Sequence, residues 1–326
     1  MDARVGRLVV LLCSLCCGLT VAALVRSAEP AQYPTRAVRF IVPLSPGGTV
    51  DTLARAISAR LTERWAQPVV VDNRPGANGS IGMVVGKNAS PDGYTIIFSQ
   101  NGILGIAPNI GPVPFDPVAD YAPVSLIATG PIVLVVHPSL PAKTLREFIA
   151  LAKSKPGQLT YASSSVGGVA HLSMELLSGH AGMQLIHVPY KGGGQAVIDA
   201  ISGQVHAMMS GAGAVIPHAK AGRLRVIAVS SSKRTAVVPE VPTIAEQGFP
   251  GFEAVAWYAV LAPAGTSAAI VTKLNADLAW ALGQTDVKKH LTDVGFDVAP
   301  SSPSELGQRI RNELKQWAPV VKRAKL

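Results

Sequence analysis

Val38-Arg39-Phe40-Ile41-Val42 runs straight into Pro43-Leu44-Ser45-Pro46-Gly47-Gly48-Thr49, and from Asp51 the pattern turns helical, with Leu53, Ile57, Leu61 and Trp65 at i+4 spacing. An apolar, partly β-branched run reads as a buried strand, and the i+4 series reads as one face of a helix. A strand, a Gly-rich turn and a helix start form an anion-binding device, because free backbone N–H groups and the positive end of the helix dipole converge on one spot. No Gly-Lys-Ser/Thr follows the turn and no spaced G-x-G-x-x-G occurs in it, so neither nucleotide fingerprint is met. The turn suits a smaller anion than a polyphosphate, and a carboxylate fits.

The same alternation extends in both directions. Strands are expected at Val38–Val42, Val69–Asp72, Tyr94–Phe98, Ile132–Val136, Leu159–Ala162, Gln184–Val188, Val205–Met209, Leu224–Val229 and Ala256–Leu261, with helical patterns between them. Such alternation predicts an α/β fold around mostly parallel sheets. Capping boxes at Thr144–Glu147 and Ser302–Glu305 mark two helix starts. The second opens a C-terminal helix expected to bury Leu306, Ile310, Leu314 and Trp317. Ala107–Pro117, rich in Pro and Gly, reads as a long surface loop.

Four further strand ends run into small-residue turns: Asn73–Gly82, Ser163–Gly168, Pro189–Gly194 and Ser210–Gly213. In open α/β sheets ligands bind at the carboxyl edge of the strands. A single glycine turn needs no ligand to explain it, but five of them favour a binding cleft. Candidate ligand-binding residues are Pro46, Gly47, Gly48, Thr49, Asp51 and Asn78 on one side. On the other side they are Ser163, Ser164, Ser165, Gly167, His171, Tyr190, Lys191, Gly192, Ser210 and Gly211. Each has a plainer reading. Thr49 and the serines can serve as N-caps, and Asp51 can complement the helix dipole. His171 either bonds the ligand or braces the serine loop, Lys191 is a solvated turn charge or an ion-pair partner, and Tyr190 packs at a hinge or walls the cleft.

Residues 1–28 read as a secretory signal peptide. Arg4 and Arg7 precede the uncharged run Leu8–Val25, and Arg26-Ser27-Ala28 follows. Cleavage is expected after Ala22 or after Ser27, and the apolar run is also long enough for a retained anchor. Cys13, Cys16 and Cys17 all lie in this segment, which leaves a mature chain without disulfides, thiol chemistry or a cysteine metal site. An exported protein of that kind fits the bacterial periplasm. The remaining 298 residues favour two lobes and carry a net charge of +7. The basic residues are scattered and aromatics are few, which argues against nucleic acid. Two chain crossings, near Thr129-Gly130-Pro131 and Phe249–Trp257, predict a discontinuous lobe 1 (31–129 and 256–326) and a lobe 2 (130–255) with a hinged cleft between them.

Pro46-Gly47-Gly48-Thr49-Val50-Asp51, Asn73 to Gly82, Ser90-Pro91-Asp92-Gly93-Tyr94, Val188 to Gly192, Val241 to Gly248 and Leu261 to Thr266 together resemble the tripartite tricarboxylate transporter substrate-binding proteins, also called the Bug receptors. The resemblance spans the mature chain in order. It implies a type II periplasmic-binding-protein (Venus flytrap) fold and a periplasmic receptor that captures a small carboxylic acid by hinge closure. It also implies delivery to a membrane permease of one large and one small subunit, no cofactor, and a monomer. By this resemblance the Pro46–Thr49 turn, the Ser163–Gly168 loop and the Tyr190–Gly192 turn hold the carboxylate. Many members carry an acid where this chain reads Ser210-Gly211-Ala212-Gly213. Its loss favours a non-amino carboxylate, since an ammonium would lack a counter-charge. A sensor kinase is a possible alternative partner.

A periplasmic hydrolase, with a serine of the 163–165 loop or Ser210 as nucleophile and His171 or His187 as base, is the competing class. It lacks a G-x-S-x-G elbow and an acid neighbouring either histidine. The seven histidines show no H-x-x-x-H or H-E-x-x-H spacing, so no metal site is expected.

Overall fold

The computed structural model describes residues 33–47, 49–190, 192–235 and 237–326. The expected signal peptide, Gly48, the side chain of Thr49 and Lys191 lie outside the described residues. Among those described, ten strands and ten α-helices alternate: β1 (Val38–Val42), α1 (Thr49–Trp65), β2 (Val69–Asn73), α2 (Ser80–Lys87), β3 (Thr95–Gln100), α3 (Ala107–Ile110), β4 (Tyr121–Val136), α4 (Leu145–Ser154), β5 (Thr160–Ser163), α5 (Val169–Ala181), β6 (Ile186–Pro189), α6 (Gly193–Ile201), β7 (Ala207–Gly211), α7 (Ala212–Lys220), β8 (Arg225–Val229), β9 (Val255–Pro263), α8 (Ala268–Leu282), α9 (Thr285–Asp293), β10 (Asp297–Val298) and α10 (Pro303–Arg323).

One hydrogen-bonded ladder runs β2-β1-β3-β9-β4-β7-β5-β6, with β8 and β10 also paired to β4. At one end β1 pairs in parallel with β2 and β3, and at the other β5 pairs in parallel with β6 and β7. Between them every pairing is antiparallel. The expectation of mostly parallel sheets therefore needs correction: four pairings are parallel and five are antiparallel. The reason is β4 and β9, which run back against both parallel sets. β4 follows β9 as far as Pro131↔Val255, and from Ile132↔Gly211 it follows β7. Its second half, Ile132 to Val136, is buried on both faces, which accounts for its unbroken apolar sequence.

Each half of the ladder has its own core. Ile41, Met83, Ile97, Leu104, Trp257, Leu261, Leu306 and Ile310 pack in the first. Leu134, Phe148, Tyr161, Leu172, Met209, Phe252, Trp317, Val320 and Val321 pack in the second. Helix α10 thus contributes to both, its first turns to one core and its last to the other. Of the four residues expected to be buried on it, Leu314 is only half-buried. At the changeover Glu313 is buried and accepts hydrogen bonds from Nε1 of Trp257 and, at 3.0 Å, from Nε1 of Trp317. The Ala107–Pro117 segment, expected as loop, begins with α3, which follows a π-helical turn at Gly102–Ile106.

Candidate functional site

Parallel pairing sets the ends of β1 and β2 side by side, Val42 opposite Asn73. The turn after β1 is fastened to the loop after β2 by the Arg74 N–H, which donates to the Val42 carbonyl at 2.8 Å. Helix α2 packs directly on this turn. A Cβ at Gly82 would lie 2.6 Å from Pro43 Cα, so only glycine permits the approach. Asp51, in the first turn of α1, is 3% exposed. Its carboxylate accepts from the Gly47 N–H (2.9 Å), Asn73 Nδ2 (2.9 Å) and Arg55 Nε (3.0 Å). Burial alone would raise its pKa, but the bonds from Arg55, Gly47 and Asn73 together hold it below the ordinary carboxylate value. Asp51, expected among the ligand-binding residues, is therefore turned inward and holds the turn in shape. Gly47 is exposed at φ +82°, its N–H taken by Asp51. Pro46 and Asn78 are exposed, and Asn78 has left-handed backbone angles (φ 53°, ψ 34°).

The second group forms at the ends of β5, β6 and β7, where Ser163 lies opposite Pro189 and Ala162 opposite both Val188 and Met208. The Tyr190 N–H donates to the Ser163 carbonyl (3.1 Å) and the Gly192 N–H to that of Ser164 (2.9 Å), so the two loops form one unit. Ser163 is fully buried. Its Oγ donates to the Ser165 carbonyl (3.0 Å) and lies 2.7 Å from His187 Nε2. Ser164 is half-buried, and Ser165 is exposed. His171 is buried, and its Nδ1 accepts from the Gly167 N–H at 3.0 Å, which places it in the bracing role. Tyr190 turns its hydroxyl away to Asp199 Oδ2 (2.7 Å), and burial together with that bond pushes its pKa up to about 12. Ser210 is buried at the end of β7, and Gly211, exposed, starts α7.

None of the serines caps a helix here. Helix α5 is preceded by Gly168, α6 by Gly192, α7 by Gly211 and α2 by Gly79, in each case without a side-chain cap. Elsewhere Thr144 caps α4, Ser267 caps α8 and Ser302 caps α10, whereas α3 and α9 start without a side-chain cap. The first-turn N–H groups of an α-helix have no intrahelical acceptor. The helix starts at the strand ends thus lack the side-chain acceptor that α4, α8 and α10 have.

The fold brings together the turns after β1 and β2, and separately those after β5, β6 and β7. Two adjoining cavities, of about 450 and 470 Å³, lie elsewhere, along the β4–β9 crossing and the face of α10, and share Leu126, Glu253, Ser301 and Arg309. Of the hydrolase candidates, Ser163 lies 2.7 Å from His187 Nε2 but is sealed from solvent, and the Glu175 carboxylate accepts from the Tyr161 hydroxyl (2.6 Å). Among the described residues no cluster of His, Cys, Asp or Glu is arranged to hold a metal ion. His187, expected from the sequence only as a hydrolase base and not among the ligand-binding candidates, also belongs to the loop's support. It stacks on His171 with ring centroids 3.8 Å apart.

The model of the tripartite tricarboxylate transporter family receptor matches residues 53–326. The chain belongs to that receptor family. The receptor is 37% identical over 292 residues to Protein BugT of Bordetella pertussis, covering 89% of this chain and 90% of BugT. A protein of R. palustris solved with adipate is 37% identical, with a TM-score of 0.72 over 90% of this chain and 98% of that one. MatC of Rhodopseudomonas palustris, solved with bound malate, is 35% identical, with a TM-score of 0.69 over 89% of this chain and all of that one (100%). The receptor has the mixed α/β fold of the periplasmic binding proteins, and its family consists of solute-binding receptors. No helix among the described residues is long and apolar enough to cross a membrane.

Proposed function

We propose that this receptor captures a small non-amino carboxylate between the turns after β1 and β2 and those after β5, β6 and β7, and that it is not an enzyme. One observation carries the reading: α2, α5, α6 and α7, which start at these strand ends, each follow a glycine with no side-chain cap, while Ser or Thr closes α4, α8 and α10. A carboxylate is the ligand such donors neutralise through charge-assisted hydrogen bonds. Pro46, Gly48, Thr49 and Asn78 would supply one jaw, and Ser164, Ser165, Lys191, Gly192 and Gly211 the other.

The acids around these turns already have partners: Asp51 holds Gly47, Asn73 and Arg55, Asp199 holds Tyr190, and Glu175 holds Tyr161. Ser210-Gly211-Ala212-Gly213, at the end of β7, brings no acid, so among the described residues of these turns every carboxylate named is already bonded. The adipate and malate of the two relatives are non-amino dicarboxylates, consistent with this reading.

Closure would turn lobe 1 (31–129 and 256–326) against lobe 2 (130–255). The partner change of β4 at Pro131/Ile132 and the start of β9 at Val255 support these boundaries. Because α10 packs in both cores, it would act as a third connection. The exported, monomeric protein would pass its ligand to a permease of one large and one small integral subunit after loss of its signal peptide. A thermal-shift panel of mono-, di- and tricarboxylates, with aspartate and glutamate as amino controls, tests this. A ligand bound only by the folded state raises the midpoint. Stabilisation by non-amino acids alone is expected. Tighter binding of aspartate or glutamate, or turnover of an ester lost on Ser164→Ala, would refute it.

A further inference from the structure

Three side chains stack beneath the serine loop. The ring of His187 (β6) lies 3.8 Å from that of His171 (α5) at 11°, and 4.9 Å from the Tyr161 ring (β5) at 21°. Each histidine reaches one end of the loop. His171 Nδ1 accepts the Gly167 N–H, so its proton sits on Nε2. The single Ser163 hydroxyl proton is directed at the Ser165 carbonyl, so Ser163 Oγ accepts from His187, whose proton is likewise on Nε2. Ser163 and Gly167 bracket Ser164, which is half-buried, and Ser165, which is exposed.

We propose that His171 and His187 are positioning residues of the ligand site: a neutral stacked pair that fixes both ends of the 163–167 loop through one hydrogen bond each. The proposal rests on the carboxylate-receptor reading for its function, but its geometry stands without a ligand. Protonation at His171 Nδ1 would eliminate the acceptor for Gly167, and a charge on one ring would oppose a second on the ring stacked against it. The other titratable groups packed on the pair are Tyr161, Glu175, which accepts its hydroxyl, and Arg323 of α10, which donates to the Glu175 carbonyl. Glu175, whose carboxylate is bonded to Tyr161, favours a charge on His187, but burial outweighs it. Burial accordingly pushes both ring pKa values down to about 4, with His171 adding to the effect at His187.

The test uses two substitutions that a packing role and a positioning role rank in opposite order. His171→Phe keeps a flat stacked ring and removes the acceptor; His171→Gln loses the ring and keeps an amide oxygen that can accept from Gly167. Amide exchange at Gly167 in the ligand-free mature protein, and adipate affinity by calorimetry, are the two readouts. We expect His171→Phe to lose Gly167 protection and adipate affinity, each by about tenfold or more, equivalent to the loss of one buried hydrogen bond, and His171→Gln to retain most of both. The reverse order, Phe tolerated and Gln not, would overturn the proposal. Loss of Gly167 protection in His171→Phe alone supports the positioning role even if adipate does not bind, in which case it is the ligand reading that fails. Should neither variant fold, imidazole ¹⁵N spectra of the wild type decide: Nε2–H tautomers on both rings at neutral pH are expected, and an Nδ1–H on His171 contradicts the proposal.

Discussion

The backbone N–H of Gly47 donates to Asp51 Oδ2 at 2.9 Å, so the exposed turn after β1 takes its shape from a carboxylate that is itself buried. Asp51→Ala would leave the Gly47 N–H without its acceptor and Asn73 Nδ2 with the Leu44 carbonyl alone (3.1 Å), a loss of about 1–3 kcal/mol. Both the unfolding midpoint and the ligand affinity should fall. Since the pKa of Asp51 is depressed by folding, its contribution is present above the ordinary aspartate value and is lost as pH falls through the folded one. Urea unfolding of Asp51→Ala against wild type at pH 7 checks the size; unchanged midpoint and affinity would show that the turn does not need the brace.

Gly47 sits at φ +82° with nothing within 4 Å of where a Cβ would be. A side chain there meets strain and open space, not a clash. Gly47→Ala should therefore cost about 1 kcal/mol of stability while projecting a methyl group into the proposed carboxylate site. Gly157, at φ +68° and with the same free surroundings in the turn after α4, is the matched control. Calorimetry should show a tenfold or greater loss of affinity for Gly47→Ala and none for Gly157→Ala; equal affinities in the two variants would place the ligand elsewhere.

Glu313 holds two indoles that belong to different cores, Trp257 to the first and Trp317 to the second. Burial raises its pKa against the opposing hydrogen bonds from Trp317 and Trp257. Glu313→Ala should destabilise by about 3–5 kcal/mol, because it opens a cavity and orphans two buried donors. Glu313→Gln, which keeps one acceptor but turns an NH₂ toward an indole N–H, should cost less. For a carboxyl raised by folding, stability increases as pH falls from the folded pKa toward the unfolded one. Calorimetric melts of the three proteins give the order; Gln as damaging as Ala would mean that the charge itself is required.

The two stacked histidines have the opposite sign. Their folded pKa values, about 4, lie below the ordinary 6.5, so the unfolded chain binds more protons between those limits and stability falls as pH drops from about 6.5 to 4. For His171, the more buried ring, the full shift corresponds to about 3 kcal/mol. Chemical denaturation at pH 7 and pH 4.5 should show a smaller pH-dependent loss in a His171→Gln/His187→Gln double variant than in wild type. Parallel pH profiles would mean the rings titrate freely in the fold.

Much of this architecture is written in local pattern. β1 and the core of every parallel strand follow from short apolar runs, and the five small-residue turns mark the strand edge where the helices begin. Polar residues hid the rest. β5, β6 and β7 extend to Ser163, Pro189 and Gly211, which read as punctuation yet accept or donate ladder bonds. The first half of β4 was obscured by Pro123, Ser125, Thr129, Gly130 and Pro131; it pairs with β9 through two register shifts, and those shifts accommodate residues that a regular strand would exclude. Asp51 stood at the site in sequence but its buried carboxylate faces inward, where it accepts from the Gly47 N–H of the exposed turn. The pairing of His171 with His187 depends on β5 and β6 lying side by side, a neighbour relation that fifteen intervening positions cannot reveal.

In the proposed function one carboxylate is held jointly by the turn after β1 and the loop after β5. A crystal structure of the mature protein grown with adipate tests this most directly. Density is expected for a carboxylate within hydrogen-bond distance of the Gly48–Thr49 backbone and of Ser164 or Ser165, with the Asp51 and His171 contacts unchanged. Adipate bound instead in the cavities along the β4–β9 crossing, or held by one set of turns without the other in a closed molecule, would contradict it.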